Sequence, residues 1–293
     1  MKICALAAIA KPKGMSSSDV VVKCRGALSH ACGERQKCGH MGTLDPMADG
    51  VLVLGFGKAT RLFDLLLDKS KEYRATVEFG CITDTLDAEG AVTDRTDVLP
   101  TKDALIDTMK NFIGAIEQIP PKYSALNIEG RRAYDLARRG AHFVVPKRQV
   151  KIFSIEPRSF DMDGDSVKSM TFDVVCGSGT YIRSLCRDIA LSVGTLGFMT
   201  ALTRTRSGNF SLDDCTPLDE FLADPTAHLT DVSTALDSLM PRAEVDENSA
   251  FKLLNGRTVD LDADGDVAVF CCKLLGVARK NDDGYKLYIR LCD

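Results

Sequence analysis

Apolar residues in this chain recur with two different periods, and the order of those periods constrains the fold more than any other feature of the sequence. Tyr73, Ala75, Val77 and Phe79 alternate with polar residues, which predicts a strand with one buried face. The run 51–54 is short and entirely apolar, which indicates a buried strand. Strand and helix patterns follow one another without a regular strand–helix–strand rhythm. This order predicts a fold of the α+β class.

Three segments have the spacing of an amphipathic helix. The first covers 20–28 and follows a Ser-Ser-Ser-Asp sequence suited to capping a helix. The second has its apolar face between 105 and 113 and begins after Thr101. The third has its apolar face between Ile182 and Val193. We expect these helices to pack their apolar faces on the predicted strands.

The last fifth of the chain has a pattern of its own. An acidic stretch with three prolines, 217–247, is typical of a boundary. Beyond it, Val267–Phe270, Leu274–Ala278 and Tyr285–Leu291 predict three short strands separated by turns. We therefore predict a first domain over 1–235 and a small β domain over 240–293.

The thiols and the apolar runs indicate where the protein resides. No apolar run approaches the roughly 20 residues that span a bilayer. The 11 cysteines have no framework spacing, and most have apolar neighbours, as in Val174–Cys176 and Phe270–Cys272. This usage predicts reduced, buried thiols and a cytoplasmic protein with no membrane contact.

Charge is distributed unevenly along the chain, although the net value is only −4. The segment 120–151 is basic, whereas 210–269 is acidic. A basic block of this kind suits a protein that meets phosphate groups on one face, and a solvated helix face would show the same charges. The basic side chains of the block are Lys122, Arg131, Arg132, Arg138, Arg139, Lys147, Arg148 and Lys151.

Several short patterns fail as nucleotide or metal sites. Gly55–Thr60 lacks the first glycine and the final hydroxyl residue of a phosphate-binding loop. Asp260–Gly265 begins like a calcium loop, but Cys271 stands where a glutamate is needed. The carboxylates at 84, 87 and 89 are interpreted as solvated turn residues. Four possible zinc ligands have unsuitable spacing, and they are His30, Cys32, Cys38 and His40.

Residues 29–50 are rich in glycine, histidine and polar side chains, and we interpret them as a long loop. Within it, Asp45 stands directly before Pro46. Pro46 fixes its own φ and favours an extended conformation for Asp45. Nearby glycines at 42 and 50 permit close approach of a ligand or of another backbone. Such a loop suits a carboxylate presented at the floor of a cleft, although aspartate is also a common turn residue.

Residues 39–52 resemble the signature loop of the bacterial tRNA pseudouridine-55 synthases, the TruB family. Other segments match the same family in the same order along the chain, so that the resemblance covers residues 11 to about 210. These segments are 11–17, 71–75, 83–90, 118–126, 130–134, 179–185 and 201–208.

The resemblance implies roles for three residues of the reaction centre. Asp45 corresponds to the essential aspartate, which acts on the target nucleotide as a nucleophile or an equivalent base. Arg183 corresponds to its ion-pair partner, and a guanidinium beside a sealed carboxylate would keep it ionised. Tyr73 corresponds to the tyrosine that stacks on the displaced uracil. On pattern alone, Tyr73 would more often be a core residue and Arg183 an exposed one.

Further residues are implied in substrate binding. Tyr181 and Leu202 correspond to residues that line the base pocket, and core packing is the alternative for both. His40 corresponds to the histidine that helps to displace the target base from its stack. Arg131 and Arg132 belong to the basic block, which in the family is an insertion, here about 120–151, that grips the T loop of tRNA.

The family also implies the architecture and the reaction. We expect a pseudouridine synthase fold, with a mixed, mainly antiparallel sheet, flanking helices, a central cleft and a small C-terminal β domain similar to a PUA domain. The reaction exchanges no electrons or groups with other molecules, so we expect no cofactor and no metal. The expected partner is the T stem-loop of tRNA, bound by a monomer without a protein partner.

Two other functions remain open at this stage. One is a guide-RNA-dependent pseudouridine synthase of the same superfamily, which the short acidic tail disfavours. The other is a non-catalytic protein that binds or folds tRNA, which the presence of Asp45, Tyr73 and Arg183 disfavours. A metal-binding structural protein is a more distant alternative.

Overall fold

The computed structural model describes residues 3–66, 70–124, 126–128, 130–237 and 239–292, so Ala125, in one of the matching segments, lies outside the described residues. The strands are β1 (Ala5–Lys11), β2 (Cys38–His40), β3 (Asp49–Phe56), β4 (Ser70–Phe79), β5 (Cys81–Thr83), β6 (Val92–Arg95), β7 (Gly114–Gln118), β8 (Asn127–Ile128), β9 (Arg131–Arg132), β10 (Arg148–Asp163), β11 (Ser166–Gly177), β12 (Gly197–Ser207), β13 (Phe210–Ser211), β14 (Thr216–Pro217), β15 (Thr230–Asp231), β16 (Arg242–Glu244), β17 (Val267–Cys271), β18 (Lys273–Asn281) and β19 (Gly284–Arg290). The α-helices are α1 (Ser17–Cys32), α2 (Phe63–Leu66), α3 (Lys102–Lys110), α4 (Ala133–Arg138), α5 (Ile182–Ser192), α6 (Leu218–Ala223), α7 (Val232–Asp237) and α8 (Glu247–Leu254), and short 3-10 helices cover Gly57–Leu62 and Leu212–Asp214.

The chain forms two compact units. The first unit contains Met1–Pro46, Val51–Asp68 and Gly208–Asp293. The second contains Met47–Gly50 and Lys69–Ser207. The C-terminal strands therefore belong to the same unit as the N-terminal strand and helix, and the predicted division near residue 240 stays a prediction.

The second unit is built on strands in the order β12-β4-β11-β10-β7, and neighbours in this order are antiparallel. At the start of β3, Asp49 and Gly50 pair in parallel with Thr203 and Arg204 of β12. The mixed, mainly antiparallel arrangement is thereby confirmed. Gly50 has φ +106°, and a Cβ at this position would collide with the Arg204 carbonyl. Only glycine permits this approach of the two strands.

The predicted strand around Tyr73 is confirmed as part of β4. Its four alternating residues are all buried, while the polar residues between them face outward or are half-buried. The predicted third helix is confirmed as α5, which buries Leu185, Cys186 and Ile189 completely. Burial of one face on each element follows from the two periods in the sequence.

The first unit places β1 between β14 and β3, with β2 antiparallel to β3. Helix α1 begins after Ser16, whose side chain accepts the Asp19 N–H in a capping box, as the sequence predicts. The helix continues to Cys32, and β2 and the start of β3 follow before residue 50. The interpretation of 29–50 as one long loop is therefore wrong, because Cys32 packs against the same core as Cys24 and Leu28 and the helix extends to it.

The C-terminal residues form a sheet in the order β16-β17-β18-β19. The three predicted strands are confirmed as β17, β18 and β19, whereas β16 and α8 were not predicted. The acidic stretch 217–247 contains short helices and strands rather than an extended connection. One face of the sheet, with Ala268 and Val277, packs in the core that contains Leu6. The other face packs on α8.

Two details of the sequence predictions are wrong. The second helix ends at Lys110, and Ile113, assigned to its apolar face, is 51% exposed. All 11 cysteines lie within the described residues and are free thiols. The prediction that they are buried is wrong for Cys272, which is exposed at the tip of a hairpin. A tight hairpin turn explains this exposure, because Cys272 separates the paired residues Cys271 and Lys273. No helix in the part of the chain that the structure describes is long and apolar enough to cross a membrane.

A carboxylate on β11 connects three strands of the second unit. Asp173 accepts a hydrogen bond from Arg74 Nε of β4 at 2.8 Å and from Arg158 Nε of β10 at 2.6 Å. The bond from Arg74, supported by Arg158, holds the pKa of Asp173 below its ordinary value of 3.8. Ionised Asp173 therefore stabilises the folded state.

We expect Asp173→Asn to lower the free energy of unfolding by at most about 1 kcal/mol at pH 7, because both arginines are half-exposed. The depressed pKa means that this stabilisation is complete above the pKa of the unfolded chain and is lost as pH falls through the folded value. Urea unfolding between pH 7 and pH 3 should show the difference between wild type and variant shrinking below about pH 4. A difference that stays constant over this range would contradict the assignment.

Candidate active site

Asp45 lies in the segment between β2 and β3 of the first unit and is half-buried. The carbonyl of the following residue, Pro46, accepts a hydrogen bond from the Gly14 N–H at 2.8 Å. The Pro46 carbonyl also accepts a hydrogen bond from Lys11 Nζ at 3.3 Å. The residue after Asp45 is therefore held by the segment that follows β1.

Lys11 is a buried cation at the end of β1, with only 1% of its surface exposed. Its ammonium group also donates to the Pro12 carbonyl at 2.8 Å and the Met15 carbonyl at 2.6 Å. An ammonium group has three protons, and these three carbonyls match them in number. Lys11 therefore binds both the 12–15 turn and the main chain directly after Asp45, and holds the two segments close together.

Arg183 lies in the first turn of α5 and is 6% exposed, so the alternative of an exposed arginine is wrong. Its Nη1 donates to Asp87 Oδ2 at 3.1 Å and to the Thr85 carbonyl at 3.1 Å. Its Nη2 donates to the Tyr123 carbonyl at 2.9 Å. These bonds, from residues far apart in sequence, fix the plane of the guanidinium.

Asp87 was interpreted as a solvated turn residue, and that interpretation is wrong. Asp87 is 5% exposed and forms the buried ion pair with Arg183. Its other oxygen accepts the Thr85 hydroxyl at 2.6 Å and the Glu89 N–H at 3.1 Å. A carboxylate can be buried here because both of its oxygens have charged or polar donors.

The start of α5 is tied to the segment after β7. The Gln118 side-chain oxygen accepts the Tyr181 N–H at 2.8 Å, and Ser184 Oγ donates to the Ile119 carbonyl at 2.8 Å. The Tyr181 ring is half-buried, with the Arg148 guanidinium 6.0 Å from its centre. Gln118, which is 1% exposed, therefore sets the main-chain position of Tyr181.

Tyr73 and Leu202 lie on neighbouring strands of the second unit, β4 and β12, and both are buried. Tyr73 is paired with Arg204, one of the most deeply buried side chains of the protein at 0% exposure. Arg204 was not predicted as a site residue. Its alternation with Leu202 would have placed it on a buried face, had the strand been predicted.

The remaining expected residues lie in other elements. His40 ends β2 in the first unit and is half-buried opposite Leu54. Arg131 and Arg132 form β9, pair with β8 in a short hairpin and are exposed. The structure thus brings Tyr73, Leu202, Tyr181 and Arg183 into the second unit, whereas Asp45 and His40 belong to the first. Over the described ranges, no group of three or more His, Cys, Asp or Glu side chains is arranged to hold a metal ion.

Comparison with known families shows which family the chain belongs to. The family model described as TruB family pseudouridylate synthase (N terminal domain) matches residues 30–182. The chain belongs to the TruB family. A second model, described as the tRNA pseudouridylate synthase B C-terminal domain, matches residues 183–243. The first match contains Asp45, Tyr73 and Asp87, and Arg183 is the first residue of the second.

Relatives named tRNA pseudouridine synthase B are similar over most of their length. The Caulobacter sp. (strain K31) protein is 40% identical over 86% of this chain and 79% of its own length. The Streptomyces griseus protein is 42% identical over 90% of this chain and 89% of its own length. The Streptococcus sanguinis protein is 37% identical over 94% of this chain and 95% of its own length. The family resemblance and the isomerase class of enzyme are confirmed.

Solved structures support the fold. A chain from an H/ACA RNP bound to a substrate RNA containing 2'-deoxyuridine superposes with a TM-score of 0.70. It is 22% identical, over 99% of this chain and 85% of that one. A chain from a Cbf5-Nop10-Gar1 complex gives a TM-score of 0.68 at 23% identity, over 99% of this chain and 84% of that one. The pseudouridine synthase fold is confirmed.

The ion pair between Asp87 and Arg183 predicts a large effect of one substitution. Asp87→Asn keeps the shape of the side chain but removes the charge that faces a buried guanidinium. We expect the free energy of unfolding to fall by about 3–5 kcal/mol, measured by urea denaturation. Glu89→Gln is the matched control, because Glu89 is an exposed carboxylate two residues away. It should change stability by no more than about 0.5 kcal/mol. Equal effects of the two substitutions would contradict the role of Asp87.

Proposed function

We propose that this protein isomerises the uridine at position 55, in the T loop of tRNA, to pseudouridine. The observation that carries the proposal is its similarity, at 37–42% identity, to relatives named tRNA pseudouridine synthase B. Family membership rests on segments that include Asp45, Tyr73 and the start of α5. The protein is proposed to act as a monomer.

The reaction rearranges one nucleotide and consumes no second reactant. The C1′–N1 bond breaks, the base turns, and a C1′–C5 bond forms. The hydrogen at C5 leaves as a proton, and N1 ends with a proton of its own. The atoms and electrons therefore balance without a redox cofactor. Because the target base must leave its stack, the protein needs a pocket that accepts a displaced uracil.

Asp45 is proposed as the carboxylate that acts on the nucleotide, as a nucleophile or an equivalent base. Its half-burial and the fixed position of Pro46 support a defined placement of this group. The role of Arg183 in keeping Asp45 ionised stays a prediction. The burial of Arg183, Tyr73 and Leu202 supports their proposed roles around the base, since apolar and planar walls suit an uncharged uracil.

Tritium release tests the proposed role of Asp45. With tRNA that carries tritium at uracil C5, wild type should release the label, because C5 loses its hydrogen when the new bond forms. Asp45→Asn should release label at least about 10³-fold more slowly and should bind tRNA with unchanged affinity, because an amide is not a nucleophile. Asp64→Asn is the control, since Asp64 is an exposed carboxylate of the same unit. Equal release by wild type and Asp45→Asn would exclude the role.

The same assay separates the alternative functions. Release from labelled tRNA by purified protein, with no guide RNA added, excludes dependence on a guide RNA. Absence of release by wild type, with retained tRNA binding, would favour a non-catalytic tRNA-binding protein. A substrate with cytidine in place of the T-loop uridine should give no release, and release from it would contradict the proposed position.

The basic block is proposed to hold tRNA phosphates. Seven of its eight basic residues are exposed, and Arg148 is half-buried. Arg131 and Arg132 stand at the edge of a two-residue hairpin, directly before α4. Exposed guanidinium groups are suited to phosphate contact, which contributes affinity that depends on salt.

Replacing both arginines should weaken binding without slowing the chemistry. We expect Arg131→Gln with Arg132→Gln to raise the Kd for tRNA and to reduce the slope of log Kd against log salt by about 1–2. The kcat at saturating tRNA should be unchanged. Lys110→Gln, an exposed cation of α3 in the same unit, serves as the control for loss of charge. An unchanged salt slope in the double variant would contradict phosphate contact at this hairpin.

A further inference from the structure

A buried serine grips the residue directly before Asp45. Ser17 is the first residue of α1 and is 1% exposed. Its hydroxyl donates to the Leu44 carbonyl at 3.0 Å and accepts the Leu44 N–H at 2.8 Å. Both main-chain polar groups of Leu44 are therefore bonded to one side chain that lies 27 residues earlier in the sequence.

A two-point contact of this kind restricts the main chain more than a single hydrogen bond. A hydroxyl has one proton and two lone pairs, so it can satisfy an N–H and a carbonyl at the same time. Because the two Leu44 groups flank its Cα, binding both restricts φ and ψ of that residue. Leu44 itself is 3% exposed, so packing also opposes its movement.

Ser17 is not needed to cap its helix. The neighbouring Ser16 is the N-cap, and its side chain accepts the Asp19 N–H at 3.1 Å. The two serines thus have separate tasks, one directed to α1 and the other to the Asp45 segment. Substitution of Ser16 is therefore a matched control for substitution of Ser17.

The residue on the other side of Asp45 is also bonded to the segment after β1. The Pro46 carbonyl accepts the Gly14 N–H at 2.8 Å, and the Pro46 ring fixes its own φ. Asp45 therefore lies between two residues whose main chains are held by residues 14 and 17. Its carboxylate can be directed reproducibly because its own backbone has little freedom.

We propose that Ser17 is a positioning residue for the Asp45 carboxylate. The inference rests on the proposed function, in which Asp45 acts on the target nucleotide. Loss of the Ser17 hydroxyl would free Leu44 and spread the positions of the carboxylate. Small errors in the placement of a reacting group slow the chemical step, because the reacting atoms must lie close together and aligned.

The test compares Ser17→Ala with Ser16→Ala in the full-length protein. Tritium release from labelled tRNA gives kcat, and filter binding gives the Kd for tRNA, both well below the melting temperature of each variant. We expect Ser17→Ala to lower kcat by about 10–100-fold, with Kd changed less than about twofold. Ser16→Ala should lower the melting temperature by about 2–4 °C and leave kcat within twofold of wild type, because it removes only a helix cap.

Ser17→Cys is a second variant of nearly the same shape whose thiol is a weaker hydrogen-bonding group. Its kcat should fall between those of wild type and Ser17→Ala, and this measurement decides the question if Ser17→Ala does not fold. A wild-type kcat in a folded Ser17→Ala or Ser17→Cys variant would overturn the proposal, as would a loss of tRNA affinity in place of kcat.

These outcomes separate the inference from the proposed function. If wild type releases label and Asp45→Asn does not, an unaffected Ser17 variant overturns only the positioning role. If wild type releases no label, the proposed function fails, and the positioning role fails with it. If Ser17 had only a structural role, its loss would lower the melting temperature, as expected for Ser16→Ala, and leave kcat unchanged.

Discussion

A charge that leaves water must find its hydrogen bonds within the protein, and this constraint governs the arrangement around α5. The Arg183 guanidinium is 6% exposed, and it donates hydrogen bonds to two other segments, at Thr85 and Asp87 in one and at Tyr123 in the other. Each partner would pay a desolvation penalty if the others were displaced. The turn after β5, the segment after β7 and the start of α5 are therefore held together by one side chain.

The first unit meets the same constraint at Lys11. Its buried ammonium group is surrounded by three carbonyls from Pro12, Met15 and Pro46. These carbonyls carry no net charge and stabilise the cation through their dipoles, and the Asp87 carboxylate is among the groups that stabilise Arg183. Carbonyl groups belong to the main chain, and binding them orders backbone. Both cations therefore order the main chain, and Arg183 in addition fixes the position of the Asp87 side chain.

The sequence predicts the elements whose signal is local. β4 alternates over Tyr73–Phe79, α5 has helical spacing, and Ser16 with Asp19 forms the expected cap. These features depend on neighbours within a few residues, so the period of the apolar residues is sufficient. The family resemblance adds Asp45 and Arg183 as candidates because it transfers long-range information that the period does not contain.

The sequence does not predict which polar residues become buried. Asp87 stands in an acidic turn and was expected in solvent, yet Arg183, 96 residues away, pairs with it. Arg204 is buried where its strand pairs with β4. Ser17 is buried against Leu44, which lies 27 residues later in the sequence. A polar side chain in a turn looks the same in sequence whether its partner is water or a distant residue, because only the folded chain decides which donor reaches it.

If Asp45 reacts as proposed, its carboxylate can be fixed in two ways, and they have different chemical consequences. A partner that binds the reacting side chain directly also changes its charge and basicity, as an ion pair does for a carboxylate. A partner that binds the main chain on either side, as Ser17 and Gly14 do at Leu44 and Pro46, changes position without touching the carboxylate. Placement of Asp45 can therefore be set by residues 14 and 17 independently of the groups that set its ionisation, so a substitution at either position can alter the rate while leaving the pH profile in place.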